Sequence, residues 1–252
     1  MIGGAMNVLS LFTGIGGLDL GLERAGMTVV GQVEIDPWCR RVLAKHWPEV
    51  PRHDDVRTAA DWWGRRPAPD VVAGGPPCQP VSQTGWRRAQ DDPRWLWPAM
   101  AAVVRDLRPR YVLVENVTGL SSAGLGDVLG DLAALGFDAE WGVLSACALG
   151  APHSRERLFV VADAGRFRRP GRAEEAAGEA YQPGQGSRAE AAGRGGARSQ
   201  DAAGAGSHWA VEPGVGRVAA RVPARVDRLR GLGNAVVPQV AEHIGRMILN
   251  AA

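Results

Sequence analysis

The stretch from residue 7 to residue 26 leaves this chain little choice of fold. NVLSLF (7–12) is a short apolar run of strand length. It passes directly into the turn TGIGG (13–17), after which Leu18, Leu22 and Ala25 recur at helical spacing until Gly26 stops the helix. A strand, a glycine turn and a helix in that order form half of a β–α–β crossover, and such units build parallel sheets covered by helices. The pattern then repeats. TVVGQVE (28–34) reads as a second strand, and Asp36-Pro37 opens a helix with a capping carboxylate and a proline at the first helical position. Cys39, Val42, Leu43 and His46 form the apolar stripe of that helix. DVVAGG (70–75), YVLVE (111–115), WGVLSA (141–146) and RLFVVA (157–162) read as further strands, the last two as neighbours. Helices are expected over 95–107 and over 127–135, the second ended by Gly136. Six or seven strands in a doubly wound α/β parallel sheet, with helices on both faces, is the expected fold class.

The character changes after Ala162. Residues 164–207 are rich in Ala, Gly, Arg and Glu and poor in large apolar side chains, so they are read as loops or partial disorder. Order is expected to resume near Trp209. From Pro238, the spacing of Val240, Ala241, Ile244, Met247 and Ile248 describes a terminal amphipathic helix. The division expected is a large core of 1–162 closed by 229–252, with a short separate region at 163–228. The net charge is only +2, with an excess of Arg over acids in 163–228 and Lys45 as the sole lysine. A polyanionic partner fits that bias weakly, and a GC-rich coding sequence explains the Arg usage as well. The three cysteines (Cys39, Cys78, Cys147) include no CxxC pair, which argues against a disulfide framework or a zinc site and for a reducing compartment. No apolar run is long enough to span a bilayer, no charged stretch precedes an apolar one as in a signal peptide, and Met6 is an alternative start.

Five segments carry chemistry. In LFTGIGGLDLGLERAG (11–26), Gly14, Gly16 and Gly17 sit between strand and helix, where backbone can approach a ligand; Glu34 ends the next strand, a place from which an acid binds ribose hydroxyls. The glycines do not form GxGxxG and no basic residue awaits a diphosphate, which points to a nucleoside ligand without one. A tight structural turn is an equal reading. Asp55, expected at the end of the third strand, is either an acceptor for an adenine amino group or a solvated turn acid. In GGPPCQPVSQTG (74–85), two prolines stiffen the approach to Cys78. A loop between Gly, Pro and Gln is a poor core position, so Cys78 reads as a nucleophile, whereas Cys39 and Cys147 read as small buried side chains. VLVENV (112–117) ends a strand in Glu115, which would stand beside the Cys78 loop if the two strands are neighbours; a turn-capping acid is the alternative. In GAPHSRERLF (150–159), Arg155 and Arg157 point the same way if the stretch is extended. In RLRGLGNAVVPQVAEHIG (228–245), Gly233-Asn234 precede a valine pair and a helix.

Together these segments resemble the DNA cytosine-5 methyltransferase family, in its compact bacterial and phage form, and all five occur in the family's order between residues 9 and 245. LFTGIGGLDLGLERAG resembles the cofactor loop, GGPPCQPVS the catalytic loop, ENV the acid motif, APHSRERLF the Gln-x-Arg-x-Arg segment and GLGNAVVP the last motif. The resemblance implies an S-adenosyl-L-methionine-dependent sheet, with Cys78 as nucleophile, Glu115 as the acid on the cytosine ring, and Arg155 and Arg157 flanking the base. Phe12, Gly14, Ile15, Gly16, Gly17 and Ile35 would line the cofactor site, with Glu34 at the ribose, Asp55 and Val56 at the adenine, and Pro76, Leu96, Asn234 and Val236 completing it. Ser82, Arg87 and Arg88 would lie on a mobile loop that closes over DNA. Region 163–228 would be the target-recognition region, and RVPARVDRL (221–229) resembles its tail. His153 stands where the family has Gln, which puts one base-side hydrogen bond in question.

The implied partners are double-stranded DNA and a cognate restriction endonuclease, with no metal and no membrane, for a monomer in the cytoplasm of a bacterial or phage-infected cell. Rival readings are an RNA or tRNA cytosine-5 methyltransferase with the same catalytic set, and a silent DNA-binding relative. An amino-group methyltransferase would show Asp/Asn-Pro-Pro-aromatic where this chain has Pro76-Pro77-Cys78. An NAD-dependent oxidoreductase fails on the glycine pattern.

Overall fold

Residues 5–77, 95–164 and 225–252 are described by a computed structural model, and they belong to one compact unit formed by 1–165 with 215–252. The elements run β1 (Asn7–Leu11), α1 (Gly17–Ala25), β2 (Thr28–Val33), α2 (Pro37–His46), β3 (Arg52–His53), α3 (Ala59–Trp63), β4 (Val71–Gly74), α4 (Trp97–Leu107), β5 (Tyr111–Asn116), α5 (Leu120–Ala123), α6 (Leu125–Ala134), β6 (Asp138–Leu144), β7 (Arg157–Asp163), α7 (Arg225–Asn234) and α8 (Pro238–Ala251). The local signals act as anticipated at the helix ends. Gly26 closes α1 in the left-handed conformation at φ 108°. The Asp36 carboxylate accepts from the backbone N–H of Trp38 and Cys39 at the start of α2.

The strands form one seven-stranded sheet in the order β3-β2-β1-β4-β5-β7-β6. β1 pairs in parallel with β2 and β4, β2 with β3, and β4 with β5. β7 runs antiparallel to both β5 and β6. The sheet is therefore mixed: the doubly wound α/β sheet expected is present, and at one edge it carries an antiparallel strand. The physical reason is the connection: after β6 the chain makes a short 3-10 turn at Ala146–Leu149 instead of a crossover helix, so the next strand must return in the opposite sense. The chain works outward from β1 to β3 and then crosses to β4, which makes the β1/β4 boundary a topological switch point. Ligands of open α/β sheets bind beyond the strand carboxyl ends at such a point.

Every residue of β4 and β5 is buried, as strands covered by helices on both faces must be. Leu9, Leu11, Val72, Val112 and Val114 join one core with Trp63, Trp97, Met100, Leu132 and Val160. By strand alternation Val8, Val71 and Leu113, also buried, face the other side. On α1, a methyl added at Gly21 would lie 2.3 Å from the Pro238 carbonyl and 2.4 Å from Ala241 Cβ, so α1 and α8 pack almost backbone to backbone.

Several expectations shift. His46 is exposed and only Cys39 and Leu43 of its helix are buried, while burial pushes the Cys39 thiol up to about 12 and makes it inert at neutral pH. Met247 is exposed, and Gly245 takes the buried place against α1. Cys147 is exposed on the 3-10 turn beside the Ser145 hydroxyl, which corrects its reading as a buried side chain. Asp55 lies two residues beyond β3, as the cap of a 3-10 turn. Ser145 and Ala146 belong to the turn rather than to β6. The pattern expected near Trp209 lies outside the described residues.

One buried polar cluster braces the β1–α1 turn from below. Asp19, fully buried, accepts from the Ser10 hydroxyl at 2.5 Å and from Gln32 Nε2 at 2.8 Å. Thr13 Oγ1 donates to the Ser10 carbonyl. Desolvation raises the Asp19 carboxyl from 3.8 to about 6 against the opposing pull of its hydrogen bonds. The folded chain then keeps a proton that the unfolded chain has lost. This contribution to stability therefore falls as pH rises from the unfolded value of 3.8 to about 6, by up to roughly 1.4 kcal/mol per pH unit, and is constant above that. Asp19→Asn removes the titration. Urea unfolding at pH 4.5 and at pH 7 is expected to show the variant gaining on the wild type as pH rises; an unchanged difference would mean the carboxyl does not titrate in the fold.

Candidate active site

The carboxyl ends of β1, β2, β4 and β5 meet at one edge of the sheet, and the chain places its chemically capable groups there. After β1, the backbone turns through positive φ at Phe12 (53°), Gly14 (58°) and Gly16 (85°). Gly14 is open: a methyl added there would meet nothing within 4 Å. Gly17 is closed, since a methyl there would lie 2.3 Å from the Val236 carbonyl oxygen. The turn thus offers free space over Gly14 while its far side is backed by the segment that precedes α8.

Glu34 follows β2 and anchors the turn. Its Oε2 accepts from Gly14 N–H and its Oε1 from Asp36 N–H, each at 2.7 Å. Arg40 donates to the Glu34 and Ile35 carbonyls, which pins this corner and leaves the Ile35 side chain 68% exposed beside it. Ile15 packs toward α7, where Gly231 fits against Trp38 and Ile15 with no room for a side chain. Arg230 reaches Asp36 at 3.4 Å. Glu34, Gly14, Ile15, Gly17, Ile35 and Val236 are therefore brought together, with Asn234 exposed at the end of α7.

Other expected cofactor residues sit less directly. Asp55 accepts from the Arg57 backbone and is forked by the Arg57 guanidinium at 2.9 Å, which holds its carboxyl below the usual range. Its hydrogen bonds therefore belong to its own turn. Val56 is buried in the core, and Leu96 is half-buried at the start of α4.

After β4 the chain runs Gly75-Pro76-Pro77 toward Cys78. Cys78, Ser82, Arg87 and Arg88 lie outside the described residues. The approach to Cys78 is fixed nonetheless. Asn116 Nδ2 donates to the Pro76 carbonyl at 2.9 Å, and a methyl added at Gly75 would lie 2.7 Å from Glu115 Oε2. The carboxyl of Glu115 thus stands against the backbone three residues before the cysteine, because β4 and β5 are neighbours in the sheet.

Glu115 is 8% exposed. Arg157 Nε lies 3.0 Å from its Oε1. The register explains the pairing. Glu115 is opposite Phe159 across the antiparallel ladder, so Arg157, two residues earlier, is its diagonal neighbour on the same face. Burial pushes the Glu115 carboxyl up, and Arg157, then Arg155, pull against that without reversing it. Arg155 does not sit in an extended segment. Its φ is 33°, and its guanidinium donates to the carbonyls of Gly233 at 2.7 Å and Ala235 at 2.6 Å. The condition under which the two arginines would point the same way, an extended stretch through Arg155, is not met: β7 begins only at Arg157, and the backbone before it aims Arg155 at the C-terminal segment. His153 is exposed.

The sequence reading did not single out Ser10, Asp19 and Gln32, which brace the turn, or Asn116, which holds the Pro76 loop. The signals were present: Ser10, Gln32 and Asn116 are polar residues in apolar strands, and Asp19 is an acid in the first turn of α1.

The family model for C-5 cytosine-specific DNA methylases matches residues 6–174. The chain belongs to that family. Among curated relatives of this chain, Type II methyltransferase M.HgiCII of Herpetosiphon aurantiacus is 36% identical over 161 residues, 61% of this chain and 36% of that protein. Type II methyltransferase M2.BsuMI of Bacillus subtilis is 32% identical over 62% of this chain and 42% of its own length. The match therefore spans less than half the length of these two relatives, whereas for M.AquIA of a Picosynechococcus strain it spans 70%, at 32% identity over 61% of this chain. A solved prophage-encoded protein of E. coli, assigned as a DNA modification methyltransferase, superposes with a TM-score of 0.55 at 30% identity, over 63% of this chain and 47% of that one. The S. pombe Dnmt2 methyltransferase superposes with a TM-score of 0.53 at 26% identity, over 63% and 50% of the two chains. Among the described residues, no helix is long and apolar enough to cross a membrane, and no group of His, Cys, Asp and Glu could hold a metal ion.

Arg157 stabilises the charged form of Glu115, so Arg157→Gln is expected to raise the Glu115 carboxyl further and leave it protonated over a wider pH range. A carbon-13 titration of the labelled carboxyl checks this. An unmoved midpoint would show that the two groups do not interact in solution.

Proposed function

We propose that this chain transfers a methyl group from S-adenosyl-L-methionine to carbon-5 of cytosine in double-stranded DNA, with Cys78 as a transient covalent nucleophile. The observation that carries the reading is the buried Glu115 carboxyl, paired with Arg157 and pressed against the backbone that leads to Cys78. The open glycine turn lies at the same sheet edge.

The cofactor fits the residues present. Gly14 leaves room for a ligand, and both Glu34 oxygens keep lone pairs free for ribose hydroxyls after accepting from two amides. Ile35 offers exposed apolar surface for an adenine ring. S-adenosyl-L-methionine would supply an electrophilic methyl on a sulfonium. Phe12, Gly16, Gly17, Pro76, Leu96, Asn234 and Val236 complete the proposed cofactor set. Asp55 and Val56 stay in it on family resemblance alone.

Carbon-5 of cytosine is a weak nucleophile. Addition of the Cys78 thiolate to carbon-6 would make carbon-5 enamine-like and able to accept the methyl group. Loss of the carbon-5 proton would then expel the thiolate. Only the thiolate reacts, so the loop must lower the thiol's ordinary value of about 8.5 or pass its proton on. Glu115, with its carboxyl raised by burial, would share a proton with ring nitrogen-3 as negative charge builds there. Arg157 would keep that carboxyl oriented. The target carbon is shielded in a duplex, so the base must be swung out at a cost of a few kcal/mol. Ser82, Arg87 and Arg88, with the arginines of 163–228 as the target-recognition region, would offset this through phosphate contacts, giving salt-dependent binding. The relatives named Type II methyltransferases support a restriction–modification setting; a cognate endonuclease, a bacterial or phage-infected cytoplasm and a monomeric chain are further parts of the proposal.

Duplex DNA carrying 5-fluorocytosine is expected to trap the wild type covalently, because fluorine cannot be eliminated from carbon-5. Cys78→Ser should form no adduct and lose methylation while still binding S-adenosylhomocysteine; methylation at the wild-type rate by this variant ends the proposal. Glu115→Gln should lower turnover by about 100-fold or more, and a near-normal rate would remove Glu115 from the chemistry. Methylation of tRNA in preference to duplex DNA, in parallel assays, would replace the substrate assigned here.

A further inference from the structure

We infer that Arg155 is a positioning residue that clamps the 233–236 segment against the glycine turn and so sets the affinity of the cofactor site. The inference rests on the cofactor reading above.

Three observations converge on it. One terminal nitrogen of Arg155 donates to two carbonyls, Gly233 and Ala235, on either side of Asn234. The next residue but one, Val236, holds its carbonyl so close to Gly17 that no side chain fits between them. Arg155 itself carries a φ of 33°, unusual for a residue with a side chain. Backbone held in a sparsely populated conformation persists only where surrounding contacts over-determine it, and such residues gather at functional sites. Here the conformation serves a visible end, because it turns the guanidinium away from the line of β7 and onto the C-terminal segment.

The consequence is a division of labour between neighbouring arginines. Arg157, on the strand, serves the Glu115 carboxyl. Arg155, in the turn just before it, ties the same corner to a segment about 80 residues further along the chain. That segment ends α7 and leads into α8: Arg155 holds the Gly233 and Ala235 carbonyls, the Val236 carbonyl abuts Gly17, and the Val237 carbonyl accepts from Val240 and Ala241 in the first turn of α8. A guanidinium suits the task because it is planar, always charged and able to donate twice from one nitrogen. Without it, the Gly233 and Ala235 carbonyls lose a charge-assisted donor, and Val236 is free to move off the turn.

The test is calorimetric titration of S-adenosylhomocysteine into the full chain, with amide hydrogen exchange followed in parallel. Arg155→Gln is expected to weaken binding by about tenfold or more, the loss of two charged hydrogen bonds, with partial recovery in Arg155→Lys. Amides of 235–237 should exchange faster while those of β5 and β7 keep their protection. In steady state the KM for the methyl donor should rise more in Arg155→Gln than in Arg157→Gln, and kcat should fall more in Arg157→Gln. Wild-type affinity in a folded Arg155→Gln overturns the inference, and so does loss of protection across the whole sheet, which would mark a structural role only. If Arg155→Gln does not fold, Arg155→Lys is read by the same criteria. Failure of the wild type to bind S-adenosylhomocysteine would instead bring down the cofactor reading itself.

Discussion

The ion pair between Glu115 and Arg157 depends on a strand that runs the wrong way. In a wholly parallel sheet, the start of the strand next to β5 would lie at the opposite edge, far from the end of β5. Because β7 is antiparallel to β5, its first residue arrives at the carboxyl edge, diagonal to Glu115. A buried carboxylate without a partner is costly, and removing one member of a buried pair typically costs about 3–5 kcal/mol unless the group takes a proton instead. The pair therefore limits the upward push that burial gives the Glu115 carboxyl and orients that carboxyl against Gly75, on the approach to Cys78. A 3-10 turn in place of a crossover helix is what permits this.

The glycine-turn edge depends on a second long-range closure. The β1–α1 turn is braced from below by the buried Ser10, Asp19 and Gln32 cluster and from the side by Glu34. Its remaining face is backed by the segment between α7 and α8, returned from beyond residue 224. Gly17, Gly21 and Gly245 let this return pack at backbone distance. Arg155 joins the two closures, since it reaches from the corner that holds Glu115 to the segment that backs the turn. The Glu115 corner and the glycine turn are in this way mechanically continuous.

Much of this was legible in the sequence, and the reasons are local. Strand and helix positions followed from apolar period, and Gly26, Asp36 and Pro37 marked helix ends because their backbone preferences act within one turn. Glu115 and Glu34 were found as acids at strand ends. What escaped was what depends on partners distant in sequence. His46, Met247 and Cys147 fit apolar patterns yet are exposed, because a pattern gives a face but not how far the neighbouring element extends over it. Asp19 and Gln32 drew no attention as polar residues, because only the packing of α1 on the sheet buries them. Arg155 and Arg157 looked equivalent at i and i+2, and only the turn geometry separates them.

The sequence by itself determined the alternation of strands and helices, the glycine turn, and the chemical types placed after each strand, because propensity, capping and periodicity are properties of neighbouring residues. Tertiary structure alone decided the direction of β7, the partners of the two arginines, the upward shift of Glu115 and Asp19, and the closure of Gly17 against Val236. Those outcomes depend on desolvation and on approach between segments up to 219 residues apart, and no local rule carries information over that distance.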